Sequence, residues 1–279
     1  MGDWGLQSVT VADAADLARN NISAFWQDRI WRVIWPSHVT QDFLIAQMAK
    51  RQSNSLLRNR AATRHQKAVD PATGALVGYA RWVLPNSHLQ AKNGNEPTWP
   101  GALVPTVSEE EQRYLEQLAG SSWWQFRPEV EHMDNRAIAV KNRIMSTKPY
   151  LMLDYLAVHP DNQGKGIASL LVASGIREAK AMGLPIFILA FEAGIGVYKR
   201  LGFREVDRVT EDMANHGGEG EYVVYMMVYD VNTMGDNPQL VVSKGSSRDV
   251  VLSRIWPSAA DIWRRYWETT ETTDTEESL

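Results

Sequence analysis

The chain has 279 residues, a hydrophobic content of 44% and a formal net charge of −4 at pH 7, which suits one large α/β domain or two small ones. An isoelectric point near 5.9 argues against a nucleic-acid-binding protein, because such proteins usually present a basic surface. The absence of cysteine excludes disulfide frameworks, thiolate zinc sites and cysteine nucleophiles.

Membrane and metal binding are also not expected from the sequence. No apolar run reaches the length of about 18 residues that a membrane-spanning helix needs. The N-terminus lacks the basic and apolar segments of a signal peptide, so we expect a cytoplasmic protein. The six histidines show no spacing typical of metal ligands, and we therefore expect no bound metal.

The N-terminal third predicts a strand, several helices and a hairpin. Asp13 and Thr40 stand where helix N-caps are expected, and Pro36 ends the tryptophan-rich segment between them. Pro71 and Gly74 supply the turn chemistry of the hairpin. The predicted elements are a strand over 6–11, a helix over 13–25, a helical segment over 26–35, a helix over 41–59, and hairpin strands over 64–70 and 76–84.

A long insertion follows the hairpin. Residues 85–107 are rich in Pro, Asn and Gly and predict a loop. Ser108, followed by three glutamates, is typical of a helix start, and this helix should end at Gly120. A further helix is predicted over 128–145. Long ordered segments such as 86–148 often form lids or binding loops.

An apolar run, a glycine-rich turn and a helix form the centre of the sequence. Residues 150–158 predict a buried strand, which Pro160 ends. Gly164 and Gly166 then open a helix, and a second apolar run and a short helix follow, up to residue 203. Glycines let a ligand approach the backbone, and a helix start offers unpaired N–H groups. Together these features predict an anion site suited to a pyrophosphate.

Three ligand classes use such a turn. A P-loop is disfavoured because His159 stands where its first glycine belongs and Gly166 where Ser or Thr belongs. A dinucleotide fingerprint is disfavoured because Ser169 replaces its last small residue and no acidic residue follows at the usual distance. Coenzyme A is the third class and fits the turn.

The C-terminal part predicts two strands and an extension. Residues 203–207 and 222–229 should form a hairpin with a long loop. We expect one domain over 1–267, with an extension over 231–267 that is helical after Pro257. The last segment, 268–279, is acidic without a basic residue, and we expect it to be disordered.

Three motifs resemble the GNAT superfamily of N-acetyltransferases. The turn QGKGIA at 163–168 resembles the family signature Q/R-x-x-G-x-G/A. The strand LDYLAVHP at 153–160 is similar to the strand that precedes this signature, and VYKRLGF at 197–203 is similar to a later segment, LYEKLGF. The resemblance implies an α/β (α+β) fold, with a mixed, mostly antiparallel sheet flanked by helices and the helical insertion between the third and fourth strands.

The resemblance also implies acetyl-CoA as the cosubstrate. Backbone N–H groups of the turn would hold the pyrophosphate, and the preceding strand edge would pair with the pantetheine arm and direct an amide at the thioester carbonyl, as an oxyanion donor. The implied cofactor-binding residues are Leu156, Ala157, Val158, Gln163, Gly164, Lys165, Gly166, Ile167 and Ala168.

Two catalytic residues and three acceptor-binding residues are expected. The resemblance gives Tyr198 the role of the acid that protonates the departing thiolate, with core packing as the alternative. Asp154, a carboxylate inside an apolar strand, is a candidate base, and a structural hydrogen bond is its alternative. Trp123, Trp124 and Trp31 are expected to line the acceptor site, or to be core residues.

The expected activity is transfer of an acetyl group to the amine of a small molecule by direct attack on the thioester. An aromatic insertion suits the enclosure of a small ligand. A protein or peptide acetyltransferase and a non-catalytic acyl-CoA-binding protein are the alternatives. We expect a monomer or homodimer that binds neither nucleic acid nor membranes.

Overall fold

The computed structural model describes residues 4–91, 94 and 96–231, and the backbone of residues 252–254. The strands are β1 Gly5–Ser8, β2 Thr63–Val69, β3 Leu76–Val83, β4 Leu151–Val158, β5 Ile186–Ala190, β6 Arg204–Asp212, β7 Glu221–Tyr229 and β8 Leu252–Arg254. The helices are α1 Ala14–Trp26, α2 Arg29–Val33, α3 Gln41–Leu57, α4 Glu109–Gly120, α5 Asn135–Met145, α6 Ile167–Met182 and α7 Glu192–Arg200. Apart from β8, the predicted C-terminal extension lies outside the described residues, as does the acidic tail.

The strands form one mixed sheet in the order β1-β2-β3-β4-β8-β5-β7-β6. Neighbouring strands are antiparallel except for β4 and β5, which are parallel. The insertion between β3 and β4 contributes α4 and α5. The predicted fold class, a mostly antiparallel GNAT-type sheet flanked by helices, is therefore confirmed.

The two faces of the sheet pack against different helices. Because side chains alternate along a strand, Leu156 and Ile188 face the cluster that contains residues of α6 and α7. Phe187 and Leu189 face the opposite cluster, which contains residues of α1, α2 and α5. Central strands such as β5 are buried on both faces, which explains their continuous apolar sequence.

Helix α6 packs very closely on β3. A Cβ atom at Gly175 would lie 2.1 Å from the ring of Trp82, so only glycine allows this approach. A Cβ atom at Gly78 would likewise lie 2.7 Å from Ile167. The close packing fixes the start of α6 beside the end of β4, where the site lies.

Three predicted helix boundaries are corrected by local hydrogen bonds. The segment 26–35 is interrupted at Asp28, whose extended backbone and carboxylate cap the separate helix α2. The helix predicted over 128–145 begins only at Asn135, after a 3₁₀ turn. Asp13 does not cap α1 with its side chain, because its carboxylate binds the Thr10 N–H and the Lys67 ammonium group.

Two predicted strands differ in length from the observed ones. The first strand ends at Ser8 rather than at residue 11, because residues Val11–Asp13 form a 3₁₀ turn. Strand β6 continues to Asp212, five residues beyond the predicted end at residue 207. This strand lies at the edge of the sheet and mostly alternates exposed with half-buried side chains. Its sequence is therefore largely polar and does not indicate the full length of the strand.

Candidate active site

The candidate site lies where β4 and β5 separate. These parallel strands pair only from Leu151 to Leu153 of β4. On the other side of β4, Arg81 pairs with Tyr155 and the next residue of β3 pairs with Leu153, so Asp154 is the extra residue of a β-bulge. Bulges bend a strand and interrupt its pairing. The bulge therefore coincides with the point where β4 leaves β5 and a gap opens.

The edge of β4 in this gap is occupied by β8. Leu156 is the register partner of Ser253, and Ala157 is the register partner of Leu252. Val158 lies beyond this pairing. The predicted contact between this edge and a pantetheine arm stays a prediction, and it requires β8 to leave. The side chains of these three residues of β4 are buried, so only their backbone groups could contact such a ligand.

The glycine-rich turn has the predicted conformation. Gly164 and Gly166 have φ values of +73° and +85°, which favour glycine, and an added Cβ atom would meet nothing within 4 Å at either position. The N-cap residue of α6 is Gly166, which has no side chain to cap the first N–H groups of the helix. A positive helix end with free N–H groups is the environment that a phosphate group requires.

Four other predicted residues complete the turn. The Gln163 amide donates a hydrogen bond to the Val158 carbonyl oxygen at 3.2 Å and ties the turn to the end of β4. The exposed Lys165 ammonium group donates to the Asn162 side chain at 3.0 Å. Ile167 and Ala168 are buried, so they can offer a ligand only their backbone N–H groups.

Tyr198 lies on α7, which packs against β8 beside the gap. Its side chain is fully buried, and its ring packs against Phe203 with the centroids 5.6 Å apart. The structure thus places the predicted acid on the opposite face of the sheet from α1. Its role as the acid stays a prediction.

The carboxylate of Asp154 interacts with two basic side chains. Its carboxylate forms an ion pair with Arg81, and the two side chains are 12% and 27% exposed. Lys141 of α5 lies close enough to interact with it electrostatically: burial lowers the pKa of Lys141, and attraction to Asp154 opposes this effect. These partners lie on β3 and α5 and not on the first helices, with which a structural hydrogen bond of Asp154 is the expected alternative. The role of base stays a prediction.

A small cavity lies on the α1 side of the gap. Its volume is about 20 Å³, enough for one water molecule. Phe25, one of its walls, packs against Tyr155 of β4 at 5.1 Å, and Phe191, another wall, directly follows β5. The cavity therefore adjoins both strands that border the gap. Its lining residues are Phe25, Asp28, Ile30, Trp31, Ile34, Met133, Phe191 and Tyr222.

The three predicted acceptor-binding tryptophans all pack against Trp35. The ring centroids of Trp31, Trp123 and Trp124 lie 5.4, 6.3 and 4.8 Å from that of Trp35. Trp31 is buried and lines the small cavity, whereas Trp123 and Trp124 do not line it. Because both rings are only half-buried, their acceptor role stays a prediction.

A larger, open groove of about 830 Å³ lies on the other side of α2. Arg29, Arg32 and Arg127 line it together with Glu129, whereas Ile30 of the same helix lines the small cavity. Helix α2 thus separates the groove from the gap, and none of the predicted site residues lines the groove.

Sequence comparison identifies the domain that contains this geometry. Residues 130–205 match the sequence model of the family described as Acetyltransferase (GNAT) domain. The chain contains a GNAT acetyltransferase domain. The matched segment includes the β4 bulge, the glycine-rich turn and Tyr198, and it confirms the predicted family and the enzyme class, a GNAT acyltransferase. A search of curated proteins finds no match to the chain.

Solved structures of acetyltransferases resemble the GNAT fold of this chain at low sequence identity. The histone acetyltransferase HPA2 and related acetyltransferase from Corynebacterium glutamicum is 19% identical, with 81% of this chain and 96% of that chain covered and a TM-score of 0.49. The putative acetyltransferase yncA from Salmonella typhimurium, with its cofactor acetyl-CoA, is 16% identical, with 83% and 96% covered and a TM-score of 0.41. The Drosophila melanogaster polyamine N acetyltransferase is 13% identical, with 82% and 100% covered and a TM-score of 0.45.

Sequence reasoning missed a buried polar pair beside the GNAT site. Asp134 of the insertion is 2% exposed, and the Tyr222 hydroxyl donates a hydrogen bond to its Oδ1 at 3.0 Å. The two residues are 88 positions apart, so no local pattern connects them. The sequence predicts Asp134 inside a helix over 128–145, whereas it lies just before α5 and its side chain does not cap that helix.

The described part of the chain contains neither a metal-binding cluster nor a membrane-spanning helix. No group of three or more His, Asp or Glu side chains is placed there to hold a metal ion. None of the helices described is both long and apolar enough to span a bilayer.

Proposed function

We propose that this protein transfers an acetyl group from acetyl-CoA to the amine of a small molecule. One observation carries this proposal: within the GNAT domain, β4 and β5 separate beside a helix start that no side chain caps. When β8 leaves the edge of β4, the gap can offer backbone groups to an extended arm, and the helix start can offer N–H groups to a pyrophosphate.

The protein groups would act on acetyl-CoA mainly through the backbone. The N–H groups at the start of α6 bind the pyrophosphate, while Gly164 and Gly166 keep side chains away from it. The edge of β4 at Leu156 and Ala157 aligns the pantetheine arm and offers an N–H group to the thioester oxygen as charge develops there. Tyr198 donates a proton to the departing thiolate.

The acceptor amine would enter from the α1 side. The aromatic walls of the small cavity, including Trp31 and Phe191, suit an apolar group or a cationic amine held over a ring face. The cavity is small in this structure, so a whole acceptor requires side chains to move. Trp123 and Trp124 lie in the same aromatic cluster and could contact the outer part of an acceptor.

Release of free thiol from acetyl-CoA tests the proposal. The full chain is incubated with acetyl-CoA and, separately, agmatine, 2-phenylethylamine, and a hexapeptide with a free N-terminal alanine, with a reaction lacking acceptor as the control. We expect thiol release with at least one of the two small amines. Release with the peptide alone would contradict the small-molecule acceptor. No release with any acceptor would contradict the transferase proposal.

A further inference from the structure

The Asp134–Tyr222 pair adjoins the small cavity. Tyr222 is itself a lining residue, and Met133, adjacent to Asp134, is another. The Tyr222 ring packs against Phe191 with the centroids 5.6 Å apart. Because Phe191 directly follows β5, the Tyr222 ring lies beside the end of that strand.

Burial of the Asp134 carboxylate needs an explanation. It is 2% exposed within a cluster of aromatic and aliphatic side chains, where an ionised carboxylate costs much free energy. Its position before α5 would let it cap that helix, but the side chain makes no capping hydrogen bond. Its Oδ1 accepts instead from Tyr222, a residue of the cavity wall.

Two other carboxylates have structural roles. Asp28, which lines the cavity, accepts hydrogen bonds from the backbone N–H groups of Ile30 and Trp31 at the start of α2. Asp154 forms the ion pair with Arg81. Asp134 differs from both because a hydroxyl group that can relay a proton connects it to a residue of the cavity wall.

We propose that Tyr222 and Asp134 accept the proton of the acceptor amine. This inference rests on the proposed amine acetylation. The Tyr222 oxygen takes a proton from the ammonium group while the Tyr222 proton passes to Asp134 Oδ1, which leaves the nitrogen with a free lone pair. The nitrogen then bonds to the acetyl carbonyl carbon, the carbon–sulfur bond breaks, and the thiolate takes a proton from Tyr198. The second proton of the nitrogen and the proton on Asp134 pass to solvent, and solvent returns one proton to Tyr198.

Substitutions that preserve shape test this relay. Asp134→Asn keeps an oxygen that can accept from Tyr222 but cannot take up a proton, and Tyr222→Phe keeps the ring against Phe191. With 2-phenylethylamine as the acceptor, both changes should lower kcat by roughly 10²- to 10⁴-fold, the range of general base catalysis. The matched control is Tyr150→Phe, which alters a tyrosine of the same aromatic cluster and should leave kcat unchanged.

A weakly basic acceptor separates proton transfer from a structural role. 2,2-Difluoro-2-phenylethylamine keeps the skeleton of the first acceptor but is already neutral near pH 7, so it depends less on a base. The loss of kcat caused by Asp134→Asn should therefore be at least tenfold smaller with this amine. Tyr222→Phe provides the same comparison if Asp134→Asn does not fold.

The outcomes distinguish this inference from the function on which it rests. Equal losses with the two amines would assign the pair to structure and overturn the relay, and so would an unchanged kcat. If the parent protein acetylates neither these amines nor agmatine, the proposed function fails, and the relay fails with it.

Discussion

Leu156 of β4 is the register partner of Ser253 of β8, and the same Ser253 is the register partner of Ala190 of β5. Strand β8 therefore fills the gap that opens after the β4 bulge. A pantetheine arm bound along β4 would need the same backbone groups. Under the proposed function, β8 and acetyl-CoA exclude each other, and the apparent affinity for acetyl-CoA depends on how often β8 leaves.

Hydrogen exchange of the full chain tests this competition. Saturating acetyl-CoA should increase amide exchange at residues 252–254, because these amides lose their partners on β4. Exchange at residues 164–168 should decrease at the same time, because the turn then binds phosphate. Greater protection of β8 in the presence of acetyl-CoA would show that both fit together and would rule out competition.

A proline substitution gives the matching affinity measurement. Ser253→Pro removes an N–H group from β8 and should weaken its pairing. Acetyl-CoA should then bind several-fold more tightly by calorimetry. Thr272→Pro, which lies in the acidic tail and outside β8, is the control and should leave the affinity unchanged.

Tyr198→Phe tests the acid. The hydroxyl is lost while the ring keeps its packing on Phe203, so kcat should fall by roughly 10²- to 10⁴-fold with little change in the KM for acetyl-CoA. Tyr229→Phe is a matched control, because Tyr229 also packs on Phe203, at 5.5 Å. If the two variants have the same kcat as the parent, Tyr198 is a packing residue.

Asp154→Asn tests the ion pair. The change leaves the partly buried Arg81 without its carboxylate, and the free energy of unfolding should fall by about 1–3 kcal/mol in urea titrations. The same loss should occur in the variant Arg81→Met. Undiminished stability together with a large loss of kcat would instead support Asp154 as the catalytic base.

His65 makes the stability of the fold depend on pH. Burial and the nearby Arg81 and Arg64 lower the pKa of His65 to about 3, and its Nδ1 lies 2.8 Å from the Tyr79 hydroxyl. Only the unfolded chain takes up a proton there as the pH falls from 6.5 toward 3, so stability is lost over this range. Between pH 7 and 5, His65 should account for about 2 kcal/mol of lost stability.

The variant His65→Gln isolates this contribution. Glutamine does not titrate, so urea unfolding of the variant should weaken less between pH 7 and 5 than unfolding of the parent. The comparison uses the change in the free energy of unfolding between pH 7 and pH 5, because the substitution also alters packing, and this effect is present at both pH values. Identical pH dependence in parent and variant would show that the pKa of His65 is the same in the folded and unfolded chains, and it would contradict the prediction.

Local signals explain how much of the fold could be predicted. Thr40 and Ser108 cap α3 and α4 as expected, since a cap needs only a side-chain oxygen beside its own helix. Gly183 ends α6 in the left-handed conformation, as its position predicts. The glycine-rich turn is equally local, and its backbone conformation follows from two residues.

Long-range contacts explain what could not be predicted. Asp154 and Arg81 are 73 positions apart, and the sequence does not indicate that the bulge brings them together. Trp124 belongs to the insertion, but its contact with Trp35 depends on how the insertion folds back over α2. The role of each charged or aromatic residue near the gap is thus decided by tertiary packing, which periodicity does not reveal.

Acetyl-CoA titration of two glycine variants tests the central claim most directly. Gly166 and Gly74 both have positive φ values, +85° and +71°, and open space around an added Cβ atom, so tryptophan imposes similar strain at each position. Only Gly166 lies at the proposed phosphate site. We expect saturable calorimetric binding of acetyl-CoA to the parent protein and to Gly74→Trp, and no binding of acetyl-CoA to Gly166→Trp. Equal binding to both variants, or no binding to the parent, would contradict the claim.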